Sequence, residues 1–171
     1  MSILTIRMKF LIDAMFGKLT RFLRMFGYDA IYAGELRDYF GQTPVPDKSL
    51  LAYAKSHDRI IITRDLPFYH IAGDNHALYI DGEDVYENLK QLNLKVNLNY
   101  KIDMNHARCS VCNSPLKRIK KEKIKDEVNS NSYKYFNEFY QCQNTECGKI
   151  FWKGSHIEKI LKNLKKYDLL D

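Results

Sequence analysis

The sequence predicts an α/β fold with a parallel sheet, followed by a small cysteine-containing module and a C-terminal helix. Three observations lead to this prediction. Short apolar runs alternate with helical patterns over residues 9–93, an order that produces parallel sheets with crossover helices. Two closely spaced pairs of cysteines follow within residues 107–154. Residues 155–171 then carry an apolar stripe at helical spacing.

The predicted elements follow one another at short intervals. The strands are KFLID (9–13), residues 30–33, RIIIT (59–63) and ALYID (77–81). Helices are expected over 14–26, from about Asp47, and over 84–93, with a short helix or turn over 66–72. These patterns divide the chain into a three-layer α/β domain (1–94), a connector (95–106), a cysteine module (107–154) and a C-terminal amphipathic helix (155–171).

Aspartates follow three of the four predicted strands. Asp13, Asp65 and Asp81 come at strand ends, and Asp47 begins a helix. Ligands bind at the carboxyl ends of parallel strands, so we expect these side chains to share a cleft. Clustered carboxylates repel one another unless cations bind between them, and hard oxygen ligands suit Mg²⁺ or Mn²⁺. Such an ion activates water and neutralises phosphate charge, as phosphodiester hydrolysis requires.

Each aspartate also has a structural interpretation. Asp47 and Asp65 could cap the helical segments that follow them. Asp81 lies in the sequence DGED, which is typical of a turn. Asp84 could replace Asp81 in the acidic site or cap its own helix.

Basic residues accompany the aspartates. Lys18 and Arg21 are three residues apart on the first predicted helix, Arg24 lies further round it, and Arg64 directly precedes Asp65. Cations beside a carboxylate cluster can hold an RNA backbone. The three on the helix could equally form its solvent-exposed face.

The net charge is uneven along the chain. Residues 1–106 carry 13 Lys and Arg against 13 Asp and Glu, whereas residues 107–171 carry 14 against 8. This excess favours a C-terminal part that faces a polyanion such as nucleic acid, although lysine-rich surfaces are also common on soluble proteins. No apolar run reaches the roughly 18 residues of a membrane span, and no export signal is evident, so we expect a cytoplasmic protein.

Two cysteine pairs predict a structural zinc site. Cys109 and Cys112 are separated by two residues, Cys142 and Cys147 by four, and both spacings suit zinc knuckles. Between the pairs we expect a basic strand around residues 117–125 and an aromatic strand over residues 133–140. Its aromatic side chains could stack on bases or fill the core of the module: Tyr133, Tyr135, Phe136, Phe139 and Tyr140.

Several stretches resemble the Mut-seven C-terminal RNase family, a PIN-like nuclease domain followed by a zinc ribbon. They are FLIDAMFGKLTRFLRMFGYDA (10–30), DKSLLAYA (47–54), RIIITRD (59–65), RCSVCNSPL (108–116), FYQC (139–142) and CGKIFWKGSH (147–156). The sequence departs from the family at the second cysteine pair, where the family usually has two intervening residues. His156 belongs to the matched ending, and we expect it to be structural.

The resemblance implies an Mg²⁺- or Mn²⁺-dependent ribonuclease that cleaves single-stranded RNA endonucleolytically. It implies that Asp13, Asp47 and Asp65 hold the metal. Asp81 lies where PIN folds often place a fourth acid, and Lys18, Arg21, Arg24 and Arg64 match basic family positions.

Two other functions stay open. The architecture also resembles the endonuclease that matures small-subunit ribosomal RNA, which makes ribosomal RNA or ribosomal particles candidate partners. Alternatively, the chain is a non-catalytic RNA-binding protein whose acids are structural.

Overall fold

A four-stranded parallel sheet forms the centre of the first part of the protein in the computed structural model, which describes residues 8–170. The strands are β1 (Lys9–Ile12), β2 (Asp29–Tyr32), β3 (Ile60–Thr63) and β4 (Ala77–Tyr79), in the spatial order β2-β1-β3-β4. Phe10 is paired with Ala30 on one side and with Ile60 on the other. The predicted α/β class with a parallel sheet is confirmed.

Five helices belong to this part: α1 (Gly17–Met25), α2 (Arg37–Phe40), α3 (Asp47–Ser56), α4 (Leu66–Ala72) and α5 (Val85–Val96). Short 3-10 turns occupy Ala14–Phe16 and Ala33–Leu36. Phe10 and Ile12 point into the core shared with α1 and α5, whereas Leu11 and Ile61 point into the core shared with α3 and α4. Because successive strand residues face opposite sides, the apolar runs are buried on both faces and the domain has three layers.

The strand order creates a crevice above β1 and β3. From β1 the chain crosses to β2 on one side and later returns to β3 on the other. The connections leave in opposite directions at this switch point, which is where open α/β sheets bind ligands. Asp13 directly follows β1, and Asp65 follows β3 by two residues.

The cysteine module is a three-stranded antiparallel sheet of β5 (Leu116–Ile119), β6 (Phe139–Cys142) and β7 (Ile150–Phe151). Helix α7 (Ser155–Lys166) follows it and buries Ile160 and Leu164 in the same core as Phe22 and Leu89. The apolar stripe predicted in this segment therefore packs on the body of the protein. No helix within residues 8–170 is long and apolar enough to cross a membrane.

Two predictions for the cysteine module were wrong. Tyr133 and Tyr135 lie in helix α6 (Ser130–Tyr135), because the Asn129 side chain accepts a 2.8 Å hydrogen bond from the Ser132 N–H and caps that helix. Only Phe139 and Tyr140 of the five aromatics are in a strand. The basic segment forms β5 only as far as Ile119 and then a 3-10 turn at Lys121–Ile124.

Candidate active site and metal-binding cluster

A buried threonine links the ends of the two central strands. The Thr63 hydroxyl donates a 2.5 Å hydrogen bond to Asp13 Oδ2 and accepts a 2.9 Å hydrogen bond from the Asp65 N–H. The Asp13 N–H in turn donates to the carbonyl of Ile62, which continues the pairing of β1 with β3. These three bonds hold Asp13 and the start of the Asp65 loop on the same side of the switch point.

Asp65 and Asp47 complete what we call the acidic cluster (Asp13, Asp47 and Asp65). Asp65 also caps α4, since its Oδ1 accepts a 2.8 Å hydrogen bond from the Phe68 N–H. Asp47 is the first residue of α3; its carboxylate accepts no hydrogen bond from residues 8–170, so capping does not explain it. Burial, and then the negative charges of Asp65 and Asp13, raise the pKa of Asp47 above its ordinary value.

The three carboxylates interact electrostatically, yet they are not tightly packed. Within residues 8–170, the only group of three or more His, Cys, Asp or Glu placed so that it could hold a metal ion is the four cysteines, whose sulfur atoms all lie within 4.8 Å of one another. No lysine, arginine or histidine of the described residues forms a salt bridge with the acidic cluster. The acidic cluster is therefore not neutralised by a cationic side chain of the described residues, and its oxygens do not converge as the cysteine sulfurs do.

Asp81 and Asp84 are engaged elsewhere. Asp81 exchanges two hydrogen bonds with the Gln91 side chain, and it is not among the charges that raise the pKa of Asp47. Its predicted place in the acidic site does not agree with this geometry, because β4 is the edge strand and directs Asp81 towards α5. Asp84 caps α5: burial alone would raise its pKa, but hydrogen bonds from Glu87, Tyr167 and Tyr86 hold that pKa below its usual range.

Two of the predicted basic residues lie together beside the start of α1. Lys18 and Arg64 are exposed and line a hollow of about 290 Å³. The Arg64 guanidinium donates to the Gly82 carbonyl at 2.8 Å and lies 5.3 Å from the centre of the Phe16 ring. Arg21 is exposed on the same helix one turn beyond Gly17.

Arg24, which was predicted to bind RNA, is buried and fully engaged in contacts within the protein. Its side chain is only 2% exposed and forms a two-bond salt bridge with Glu35. The guanidinium also donates to the carbonyls of Ala30, Ser110 and Val111. The helix turns this residue towards the interface with the cysteine module, so it cannot contact a phosphate without unfolding that interface.

The four cysteines converge as the spacing predicted. The Sγ atoms of Cys109 and Cys147 are 3.7 Å apart, and those of Cys112 and Cys142 are 3.3 Å apart. A disulfide would require about 2.05 Å. Four thiolates around Zn²⁺ at about 2.3 Å lie about 3.8 Å from one another, close to the longer of these separations. This cluster could hold a metal such as zinc, and the module has the fold of a zinc ribbon.

The longer second knuckle does not prevent this convergence. The Asn144 carbonyl accepts hydrogen bonds from the N–H groups of Cys147 and Gly148, and the Asn144 side chain accepts one from Glu146. Gly148 adopts a φ of +54°, which a residue with a side chain rarely adopts. The extra residues therefore form a compact turn that returns Cys147 to the site.

The thiols of this cluster perturb one another's ionisation. Burial and the neighbouring thiols of Cys112 and Cys109 raise the pKa of Cys142 to about 12. Four crowded thiols cannot all ionise without a positive charge between them, and a coordinated cation deprotonates its thiol ligands outright.

Comparison with known proteins decides the family. The model of the Mut7-C RNAse domain matches residues 8–164 of the chain. The chain belongs to this family. No curated protein and no solved structure shows significant similarity to it. Membership of the Mut7-C RNAse domain family indicates a nuclease that acts on RNA, on a fold that here combines the parallel sheet with the four-cysteine ribbon.

One residue of this Mut7-C domain was missed by sequence reasoning. Thr63 is fully buried and is the only side chain within residues 8–170 that bonds to both Asp13 and the Asp65 backbone. It is a positioning residue for the acidic cluster. The sequence does contain an indication of this role: Thr63 is a polar residue at the end of an otherwise apolar strand, two positions before Asp65.

A second unpredicted contact joins the ribbon of this Mut7-C domain to its sheet. Asn113, beside the first cysteine pair, donates a 2.7 Å hydrogen bond to Asp29 Oδ1 and accepts one from the Ala30 N–H. With the bonds that Arg24 donates to Ser110 and Val111, these contacts connect the knuckle directly to α1 and β2. The cysteine cluster and the nuclease sheet thus form one connected structure.

Proposed function

We propose that the protein is a divalent-metal-dependent ribonuclease that hydrolyses phosphodiester bonds of single-stranded RNA endonucleolytically. One observation supports the proposal: Asp13 and Asp65 follow the carboxyl ends of β1 and β3, and Asp47 is near enough that burial and then the charges of Asp65 and Asp13 raise its pKa. A protein keeps such mutual repulsion at a switch point where a bound cation relieves it.

The donor set fits Mg²⁺ or Mn²⁺. All three side chains are hard oxygen ligands, and none is neutralised by a cationic side chain of the described residues. Mg²⁺ usually binds one or two carboxylates and retains several water molecules, which suits carboxylates that are close without touching. When bound, the ion would activate a water molecule and neutralise charge on the scissile phosphate.

The chain's own residues position the reactants. The Thr63 hydroxyl fixes the rotamer of Asp13, and the α4 cap fixes that of Asp65, so both carboxylates are set before RNA arrives. Lys18 and Arg64 project from neighbouring elements and supply the positive charge that an RNA backbone requires. Asp47 enters from the far face of the sheet on α3.

A cleavage assay with end mapping tests the proposal. Labelled unstructured and structured RNAs are incubated with the zinc-loaded protein in Mg²⁺ or Mn²⁺, with and without EDTA. We expect internal cuts that leave 5′-phosphate ends, and at least about 100-fold slower cleavage by Asp13→Asn and Asp65→Asn. Asp81→Asn is the matched control and should cleave at the parent rate.

Parent-rate cleavage by Asp13→Asn would refute the mechanism. Salt-dependent RNA binding without any turnover would instead favour the non-catalytic RNA-binding protein. A link to ribosomal RNA is supported only by the similar architecture of a ribosomal RNA-processing endonuclease. Co-sedimentation with ribosomal particles tests that link separately, and failure to co-sediment would remove it without affecting the cleavage proposal.

A further inference from the structure

A groove of about 890 Å³ lies between helix α1 and the zinc ribbon. On the α1 side it is lined by one face of the helix, from Gly17 through Arg21 to Met25. This face extends about 12 Å at 1.5 Å per residue, room for roughly three stacked nucleotides at 3.4 Å each. One 3-10 turn, Ala14–Phe16, separates Asp13 from the Gly17 end.

The α1 wall of the groove is positively charged. Lys18 and Arg21 line it, and no acidic residue of the described chain lines the groove. Arg108 adds a third cation from the cysteine module, where its guanidinium also donates a 2.6 Å hydrogen bond to the Asn113 carbonyl. Lys18 also lines the neighbouring hollow, which contains Arg64 together with the acidic Glu83 and Asp84. A negatively charged chain is therefore the ligand that this wall complements.

The ribbon wall of the groove is aromatic. Trp152, Phe151 and Phe136 line it. Gly154 sets the orientation of the indole, because a Cβ at that position would lie 3.1 Å from Trp152 Nε1 and 3.3 Å from its Cδ1. The Phe139 ring supports the indole with its centre 5.9 Å away. The Trp152 ring is half-exposed, and within residues 8–170 no acceptor binds its N–H.

We propose that this groove binds a short segment of single-stranded RNA, with its phosphates along Lys18, Arg21 and Arg108 and a base stacked on Trp152. A cationic track opposite an aromatic platform is the arrangement by which proteins hold single strands without reading their sequence. The inference rests on the proposed function for the direction of the strand, which enters over the ribbon and continues at Gly17 towards the acidic cluster.

Trp152 is the only tryptophan of the chain, so its fluorescence reports directly on the groove. Unlabelled oligouridine is titrated into the zinc-loaded Asp13→Asn protein, and the same RNA with a fluorescein label is followed by anisotropy. We expect saturable quenching of Trp152 with the Kd that anisotropy gives. Trp152→Ala should raise that Kd about 5- to 100-fold, and Trp152→Phe should restore most of the affinity.

Charge is tested in the same assay. Arg21→Gln should reduce the slope of log Kd against log salt by about 0.7, the value for one phosphate contact on a single strand. Two residues outside the groove provide controls. Tyr135 is 70% exposed and is replaced by alanine, and the Arg37 side chain is 65% exposed and is replaced by glutamine. Both should leave Kd within twofold, and zinc content verifies folding of every variant.

RNA that binds without changing Trp152 emission, and equally well to Trp152→Ala, would overturn the groove assignment. That result leaves metal-dependent cleavage untouched, because cleavage is measured with the parent protein. If RNA quenches Trp152 but the parent protein never cleaves RNA, the groove assignment stands and the ribonuclease proposal is refuted. Absence of RNA binding would likewise overturn the assignment of the groove to RNA.

Discussion

Replacing Arg24 with methionine removes a buried cation from the junction of sheet, helix and ribbon. The arginine donates hydrogen bonds to both Glu35 oxygens at 3.0 and 2.6 Å, and to the carbonyls of Ala30, Ser110 and Val111 at 2.8, 3.2 and 3.1 Å. Methionine is a shorter, unbranched apolar side chain that keeps the packing of the arginine stem and has no donor. The variant therefore tests whether these bonds, and not RNA contact, explain the residue.

The expected loss of stability is about 3 kcal/mol. Breaking a buried ion pair from one side costs about 3–5 kcal/mol because the remaining partner is buried and unpaired. The Glu35 side chain is 39% exposed and regains contact with water in the variant, which favours the lower end of this range of energies. The three carbonyls that lose their hydrogen-bond donor add to the cost. For a chain of this length, about 3 kcal/mol lowers the melting temperature by roughly 6–12 °C.

Urea denaturation of the zinc-loaded protein, followed by circular dichroism, measures this loss. Arg37→Met is the matched control, since Arg37 is exposed and its contact with Asp38 is 3.7 Å long; it should change stability by less than about 0.5 kcal/mol. If Arg24→Met lost less than about 1 kcal/mol and bound RNA markedly more weakly, the structural assignment of Arg24 would be refuted and its predicted role in RNA binding restored.

Three further predictions concern the acidic cluster and the four-cysteine site. The pKa of Asp47 is raised in the folded state, so ionisation of this carboxyl lowers the stability of the protein above that pKa. In denaturation experiments on the cation-free protein, Asp47→Asn should therefore be stabilising at about pH 7 and not at about pH 3. Thr63→Val should misplace Asp13 and slow RNA cleavage about 10- to 100-fold, whereas Thr63→Ser should cleave at close to the parent rate. Equal cleavage rates for the two Thr63 variants would contradict the positioning role. Removal of the cysteine-bound metal should lower the unfolding temperature of the entire chain in one transition, whereas two separate transitions in calorimetry would show that ribbon and sheet are independent.

The sheet could be predicted from sequence because its strands are short apolar runs buried on both faces. Ile61 and Ile62 enter opposite cores, so neither position tolerates a polar residue. The strand ends then locate Asp13 and Asp65, and strand order brings them together at the switch point. The cysteine spacing was equally informative, because zinc knuckles place two ligands a few residues apart in the sequence.

Long-range partners were beyond the reach of sequence patterns. Helical periodicity shows that Arg24 lies off the most polar face of α1, but its acceptors come from residue 30 and from the knuckle more than 80 residues away. Asp81 follows an apolar strand just as Asp13 does. The two aspartates are distinguished only by the edge position of β4 and by the contact of Asp81 with Gln91. Helix α6 was missed because its aromatic residues favour strands, although Asn129 provided a capping signal.

Binding of Mn²⁺ to the zinc-loaded protein, followed by electron paramagnetic resonance, tests the acidic cluster most directly. A divalent site at Asp13, Asp47 and Asp65 predicts saturable loss of the free Mn²⁺ signal, abolished in Asp13→Asn and in Asp65→Asn and unchanged in Asp81→Asn. Equal Mn²⁺ binding by the parent and the Asp13→Asn protein would show that the carboxylates at the ends of β1 and β3 do not hold the cation.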